Sequence, residues 1–192
     1  MEPKALIFDC DGTLVDSMPL HWRAWDIACK RNGIEFTEER HYAMGGVPSV
    51  KILQMLKAEQ GLDFDPAEVS RQKEEAYIPL MPEAKLIEPV ASIARIARGN
   101  IPMAVATGGR TKYIMPLLKG VGILNWFDAV VTADDVENHK PAPDTFLKAA
   151  ALLGVPPDEC RAYEDTDIGM KAIFAAGMDA VDVRQIPGVL PS

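Results

Sequence analysis

Residues 5–13 read Ala5-Leu6-Ile7-Phe8-Asp9-Cys10-Asp11-Gly12-Thr13. An unbroken apolar run stops abruptly at an acid. A run with no polar alternation predicts a strand buried on both faces, as in a parallel sheet. Similar runs recur at Ile101 to Ala106, Phe127 to Val131, Arg161 to Glu164 and Ala180 to Val183. Helical spacing fills the gaps between them. Val90, Ile93, Ala94 and Ile96-Ala97 precede Gly99, and Tyr113 to Lys119 precede Gly120. Phe146-Leu147, Ala150 and Leu153 precede Gly154, and Met170, Ile173-Phe174 and Ala176 precede Gly177. A glycine just past a periodic run reads as a helix C-terminus. The rhythm predicts an α/β fold, a Rossmann-like parallel sheet with helices on both faces.

Residues 16–84 break that rhythm, because no strand-like run occurs there. Pro19 to Lys30 carries Leu20, Ala24, Ile27 and Ala28 on one helical face and ends at Gly33. Ser49 to Gln60 ends at Gly61, and Asp65-Pro66-Ala67-Glu68 is a capping-box signature opening a helix through about Leu80. The expected organisation is a catalytic core of residues 1–15 and 85–192 with a small inserted all-helical cap, residues 16–84.

The 192 residues carry 20 Lys+Arg against 28 Asp+Glu, a net charge of −8. An acidic balance argues against nucleic acid as a partner. No run of 18 apolar residues exists, so no membrane span is expected. The N-terminal apolar run is too short for a secretory signal. The three cysteines, Cys10, Cys29 and Cys160, form no Cys-x-x-Cys pair, so reduced, buried thiols and a cytoplasmic location are the simplest expectation.

Chemistry concentrates at the ends of the expected strands. Asp9 and Asp11 stand one residue apart at the first, where like charges are costly unless a cation or a proton-transfer role offsets them. Gly12 permits a sharp bend. Ala106-Thr107-Gly108-Gly109 offers a hydroxyl and backbone N–H groups to an anion. In Asn138-His139-Lys140-Pro141-Ala142-Pro143 the prolines hold Lys140 rigidly, a point charge suited to phosphate, while His139 reads as a surface residue or one that supports a site residue from behind. Tyr163-Glu164-Asp165-Thr166-Asp167 is a second acidic cluster. Asp167 suits a helix start. Glu164 and Asp165, with Asp9, offer oxygen ligands to a hard cation such as Mg²⁺.

In their order and placement, Phe8 to Val15, Thr107, Lys140 and Glu164-Asp165 resemble the four motifs of the haloacid dehalogenase superfamily, and the helical insert resembles its small cap. The likeness is strongest to the β-phosphoglucomutase-like branch, and within it to sugar phosphatases of the fructose-1-phosphatase/6-phosphogluconate phosphatase type. It rests on Phe127 to Val131, His139 to Phe146 and Ala176 to Arg184. The resemblance implies Asp9 as nucleophile and Asp11 as general acid and base. It implies Mg²⁺ held by Asp9, the Asp11 carbonyl and Asp165 with Glu164 beside it. Phosphate would be bound by Thr107, Lys140 and main-chain N–H groups near Cys10, Asp11 and Gly108. Ser17, His21, Trp25 and Lys73 match cap or hinge positions, and Trp22 and Trp25 also read as helix packing. Ser49 stands where the mutase pattern has an Arg that grips a second phosphate.

The implied function is a Mg²⁺-dependent phosphatase of small phosphorylated sugars working through an aspartyl phosphate, in a cytoplasmic monomer. The alternatives are a β-phosphoglucomutase, which Ser49 disfavours, and a phosphatase for another substrate such as pyrophosphate or a nucleotide. Dehalogenation is disfavoured because a halide needs no acid at Asp11. A phosphorylated receiver would carry its acceptor on the third strand, where Val131-Thr132 offers none. A thiolate phosphatase fails because Asp16, Glu35 and Thr166, never Arg, stand six residues after the cysteines.

Overall fold

The computed structural model describes residues 2–189. The main sheet has five parallel strands. They are β1 (Ala5–Phe8), β4 (Met103–Ala106), β5 (Ala129–Val131), β6 (Cys160–Glu164) and β7 (Asp179–Asp182), in the order β5-β4-β1-β6-β7. β1 lies centrally, pairing Phe8 with Val105 of β4 on one side and with Tyr163 of β6 on the other.

The strand order dictates where the helices lie. From β1 to β4 to β5 the chain steps one way across the sheet, through α5 (Glu88–Ala97) and α6 (Thr111–Gly120). From β5 it returns past β1 to β6 and on to β7, through α7 (Asp144–Leu153) and α8 (Asp167–Ala175). Right-handed crossovers then place the two helix pairs on opposite faces. Alternate strand residues face each layer. Ala5, Ile7, Ala104, Ala106 and Ala162 pack with Phe146, Ala149, Ala172 and Ile173 of α7 and α8. Leu6, Phe8, Met103, Val105 and Tyr163 are buried on the other side, where the Phe8 and Tyr163 rings stack at 4.6 Å. The direction reverses between β1 and β6, and ligands of such sheets bind in the crevice at that point.

The chain divides into two compact units, one running to Asp16 and from Lys85 onward, the other Ser17–Ala84. A two-stranded antiparallel ribbon, β2 (Val15–Asp16) and β3 (Lys85–Leu86), belongs to the first unit. Asp16 falls there because it pairs with Lys85. The second unit is helical: α1 (Met18–Arg31), α2 (Glu38–Ala43), α3 (Ser49–Gln60) and α4 (Pro66–Tyr77). Its core is built from Trp25, Ala28, Cys29, Ile34, Ile52, Leu53, Leu56 and Val69.

Several expected details differ. α2 leaves no readable periodicity because it has only six residues; Thr37 caps it by accepting the Arg40 N–H. The third expected helix does not run on as α-helix to Leu80. It ends at Tyr77 and tightens into a 3-10 segment, Ile78–Glu83, containing Pro79 and Pro82, which lack the N–H an α-helix needs. Asp65 caps α4 through the Ala67 N–H, but Glu68 engages Arg71 and Gln72 instead of closing a capping box. Gly120 lies inside α6, and Gly122 (φ +78°) makes the turn expected of it.

Candidate active site

β1 and β6 end side by side, which brings Asp9 against Glu164 and Asp165. All three are buried, and one carboxylate oxygen of each lies within 4.8 Å of the others. Lys140 enters from the loop after β5, behind a cis peptide bond to Pro141. Its ammonium donates to Asp9 Oδ1 at 2.7 Å and to Glu164 Oε2 at 2.7 Å. Burial disfavours that ammonium, but Asp9 and Glu164 outweigh the effect and raise its pKa above the ordinary value. For Asp9, burial followed by the repulsion of Glu164 raises the pKa well above the ordinary carboxylate value, with Lys140 opposing.

Glu164 is tightly constrained. Oε1 accepts the Asp165 N–H at 3.1 Å, the Thr166 N–H at 2.9 Å and the Thr166 hydroxyl at 2.8 Å, leaving Oε2 for Lys140. Asp165 Oδ1 accepts the Thr13 hydroxyl at 2.8 Å. The sequence alone assigns neither threonine a role. A hydroxyl beside an acid is too common a pattern to single out until the fold pairs them.

Asp11 is half-buried in a tight turn after β1. The N–H groups of Thr13, Leu14 and Val15 converge on the Cys10 carbonyl, and Gly12 donates its N–H to the Val15 carbonyl. Gly12 has φ +85°, and a Cβ there would stand 2.3 Å from Asp165 Oδ2. The position therefore needs glycine for its backbone and for the space that Asp165 fills. Cys10 is fully buried, and burial, with Asp11 and Asp9 beside it, raises its thiol pKa well above normal. It is no nucleophile. Thr107, also buried, continues from β4 and accepts the Gly109 N–H at 3.0 Å, while Gly108 is exposed.

The donor set suits a hard cation. Among the described residues, three buried carboxylates cluster there, two of them bonded to the Lys140 ammonium, and the atoms they offer a cation are all oxygen. Asp9 and Asp165 stand at neighbouring strand ends and each offers a carboxylate oxygen to such an ion.

Ser17, His21, Ser49 and Lys73 lie in the helical unit. Lys73, buried, donates its ammonium to His21 Nδ1 at 3.0 Å, which places the imidazole proton on Nε2. His21 stacks on Tyr77 at 4.0 Å, and Lys73 lies over the rings of Trp25 and Tyr77 at 5.7 and 5.6 Å. Ser17 precedes α1 and is buried; Ser49 opens α3 and is half-buried. Trp25 is also a core residue, and Trp22 packs against Phe36 and His41. His139 and Asp167 are exposed.

The chain is similar to known proteins of one family. The haloacid dehalogenase-like hydrolase family matches residues 3–177. A fructose-1-phosphate phosphatase of Escherichia coli (strain K12), YqaB, is 41% identical over 179 residues, covering 93% of this chain and 95% of that protein. A β-phosphoglucomutase of Bacillus subtilis (strain 168) is 30% identical, covering 95% and 84%. The crystal structure of a β-phosphoglucomutase from Clostridium difficile superposes with a TM-score of 0.83 at 25% identity, covering 95% and 84%. The matched span takes in both units and every acid of the buried cluster, so the chain belongs to the haloacid dehalogenase-like hydrolase family, as a phosphoric-monoester hydrolase.

Proposed function

We propose that this protein is a Mg²⁺-dependent phosphatase of small phosphorylated sugars, of the fructose 1-phosphate or 6-phosphogluconate type. The observation that carries the reading is Asp9, a carboxylate at a strand end, buried and clamped by Lys140 beside further acids. Asp9 attacks phosphorus and the bond to the sugar oxygen breaks, leaving an aspartyl phosphate. Asp11, protonated, gives its proton to the leaving oxygen. As a carboxylate it then takes a proton from the water that attacks phosphorus. The aspartyl bond breaks, inorganic phosphate leaves and Asp9 is regenerated. Lys140 and the Thr107 hydroxyl bind the equatorial oxygens. The Asp9 and Asp165 carboxylates and the Asp11 carbonyl would hold Mg²⁺, while Glu164 fixes Lys140. When bound, the ion supplies positive charge against the phosphoryl oxygens.

Support for the sugar comes from the named relatives, which include the fructose-1-phosphate phosphatase of Escherichia coli (strain K12). Transfer to water rather than back to a sugar is favoured by Ser49, which offers no guanidinium for a second phosphate. In this reading, substrate choice falls to Ser17, His21, Ser49 and Lys73.

The test is phosphate release from a panel of phosphorylated sugars, pyrophosphate and nucleotides, with Mg²⁺ and with excess chelator. Turnover of a sugar phosphate that chelator abolishes and Mg²⁺ restores is expected. Full turnover in chelator, or release from pyrophosphate or nucleotides alone, overturns the reading.

A further inference from the structure

Glu164 accepts from four donors, and α8 begins three residues after it. Thr166 caps that helix, accepting the Gly169 N–H at 3.0 Å while its hydroxyl donates to Glu164 Oε1 at 2.8 Å. Gly169 lies in the first turn, buried. A Cβ on it would stand 2.0 Å from Glu164 Cδ, 2.0 Å from Oε2 and 2.5 Å from Cγ. The helix backbone thus passes where only a hydrogen fits. The colliding oxygen, Oε2, is the one that accepts from Lys140 at 2.7 Å.

We propose that the first turn of α8, through Gly169 and Thr166, positions Lys140: it fixes the Glu164 carboxylate, and Glu164 fixes the ammonium against Asp9. A carboxylate at the end of a flexible side chain normally yields to a neighbouring methyl group at little cost. This one is tied by the N–H groups of Asp165 and Thr166, the Thr166 hydroxyl and Lys140, so it yields only by releasing them. The alternative, moving α8 outward, unpacks Ala172 and Ile173 from the sheet. In the first case Lys140 loses its second anchor directly; in the second, the Thr166 groups that hold Glu164 in place move away with the helix. Ala at a helical glycine otherwise favours the helix, so a loss here marks the collision.

The inference rests on the reading that Lys140 meets the transferring phosphoryl group, and the experiment separates the two. Affinity for inorganic phosphate is measured by calorimetry at fixed Mg²⁺, together with kcat/KM on p-nitrophenyl phosphate. The variants are Gly169→Ala, Thr166→Val and Thr166→Ser, each made with Lys140 intact and with Lys140→Ala. With Lys140 intact, Gly169→Ala and Thr166→Val should each weaken phosphate binding about 10- to 100-fold, the scale of one charge-assisted hydrogen bond. Thr166→Ser, which keeps the hydroxyl, should stay near wild type. In the Lys140→Ala background the same changes should cost less than about threefold, because a residue acting through Lys140 has nothing left to act on. Equal losses in both backgrounds, or none in either, overturn the inference. If Gly169→Ala does not fold, the two Thr166 variants decide. If Lys140→Ala alone leaves phosphate affinity unchanged, the reading of Lys140 has failed, whatever Gly169 does.

Discussion

Asp9 and Asp11 stand one residue apart yet occupy different surroundings. Asp9 is buried, anchored by Lys140 and pressed by Glu164, while Asp11 is half-buried in the turn that Gly12 makes possible. Such a difference suits a fixed nucleophile and a neighbour that exchanges protons. Asp9→Asn keeps the shape and removes the attacking charge, so almost no phosphate release should remain, given how slow the uncatalysed reaction is. Asp11→Asn should cost about 10²–10⁴-fold on sugar phosphates. It should cost less on p-nitrophenyl phosphate, whose leaving group needs less protonation. Steady-state kinetics on both substrates checks this; equal losses would remove the acid role from Asp11.

At the level of elements, α1, α2 and α4 put histidines and a lysine close together. His41 of α2 is buried, with its Nε2 3.3 Å from the Met18 carbonyl. Burial first, and then the nearby His21 and Lys73, lower its pKa from 6.5 to about 4. Between those values the unfolded chain binds a proton at this residue and the folded chain does not. Stability therefore falls as pH drops from 6.5 towards 4 and stops falling from this source below that. The loss should approach about 3 kcal/mol. Urea midpoints between pH 7 and pH 4 should show the slope, and His41→Gln should flatten it. An NMR titration that finds His41 near its ordinary pKa would end the account.

For the whole molecule, the acids that would hold the ion all lie in the sheet unit. An ion that binds only the folded site stabilises by mass action, about 2.7 kcal/mol at one hundred times its Kd. Thermal unfolding should therefore shift upward with Mg²⁺ and back with chelator. Asp165→Asn should abolish the shift without lowering the metal-free midpoint, because it removes repulsion within the cluster. A shift that survives in Asp165→Asn would place the ion elsewhere.

The α/β core was legible because buried parallel strands leave unbroken apolar runs, and three of those runs end on residues of the candidate site. Phe8-Asp9, Ala106-Thr107 and Glu164-Asp165 are strand-end pairs of this kind. Local pattern also placed α1 and α3, through the apolar spacing of Leu20, Ala24 and Ala28 and of Ile52, Leu53 and Leu56, and α4 through its Asp65-Pro66 start. The six-residue α2 and the 3-10 segment after Tyr77 left no such stripe. What local pattern could not carry was contact between distant segments. Thr13 meets Asp165 across 152 positions and Lys140 meets Asp9 across 131. Gly169 reads in sequence as an ordinary weak point in a helix. Only the packing of α8 against Glu164 makes it a place where a methyl group has no room, since that distance depends on how β6 and α8 are stacked and not on either segment alone.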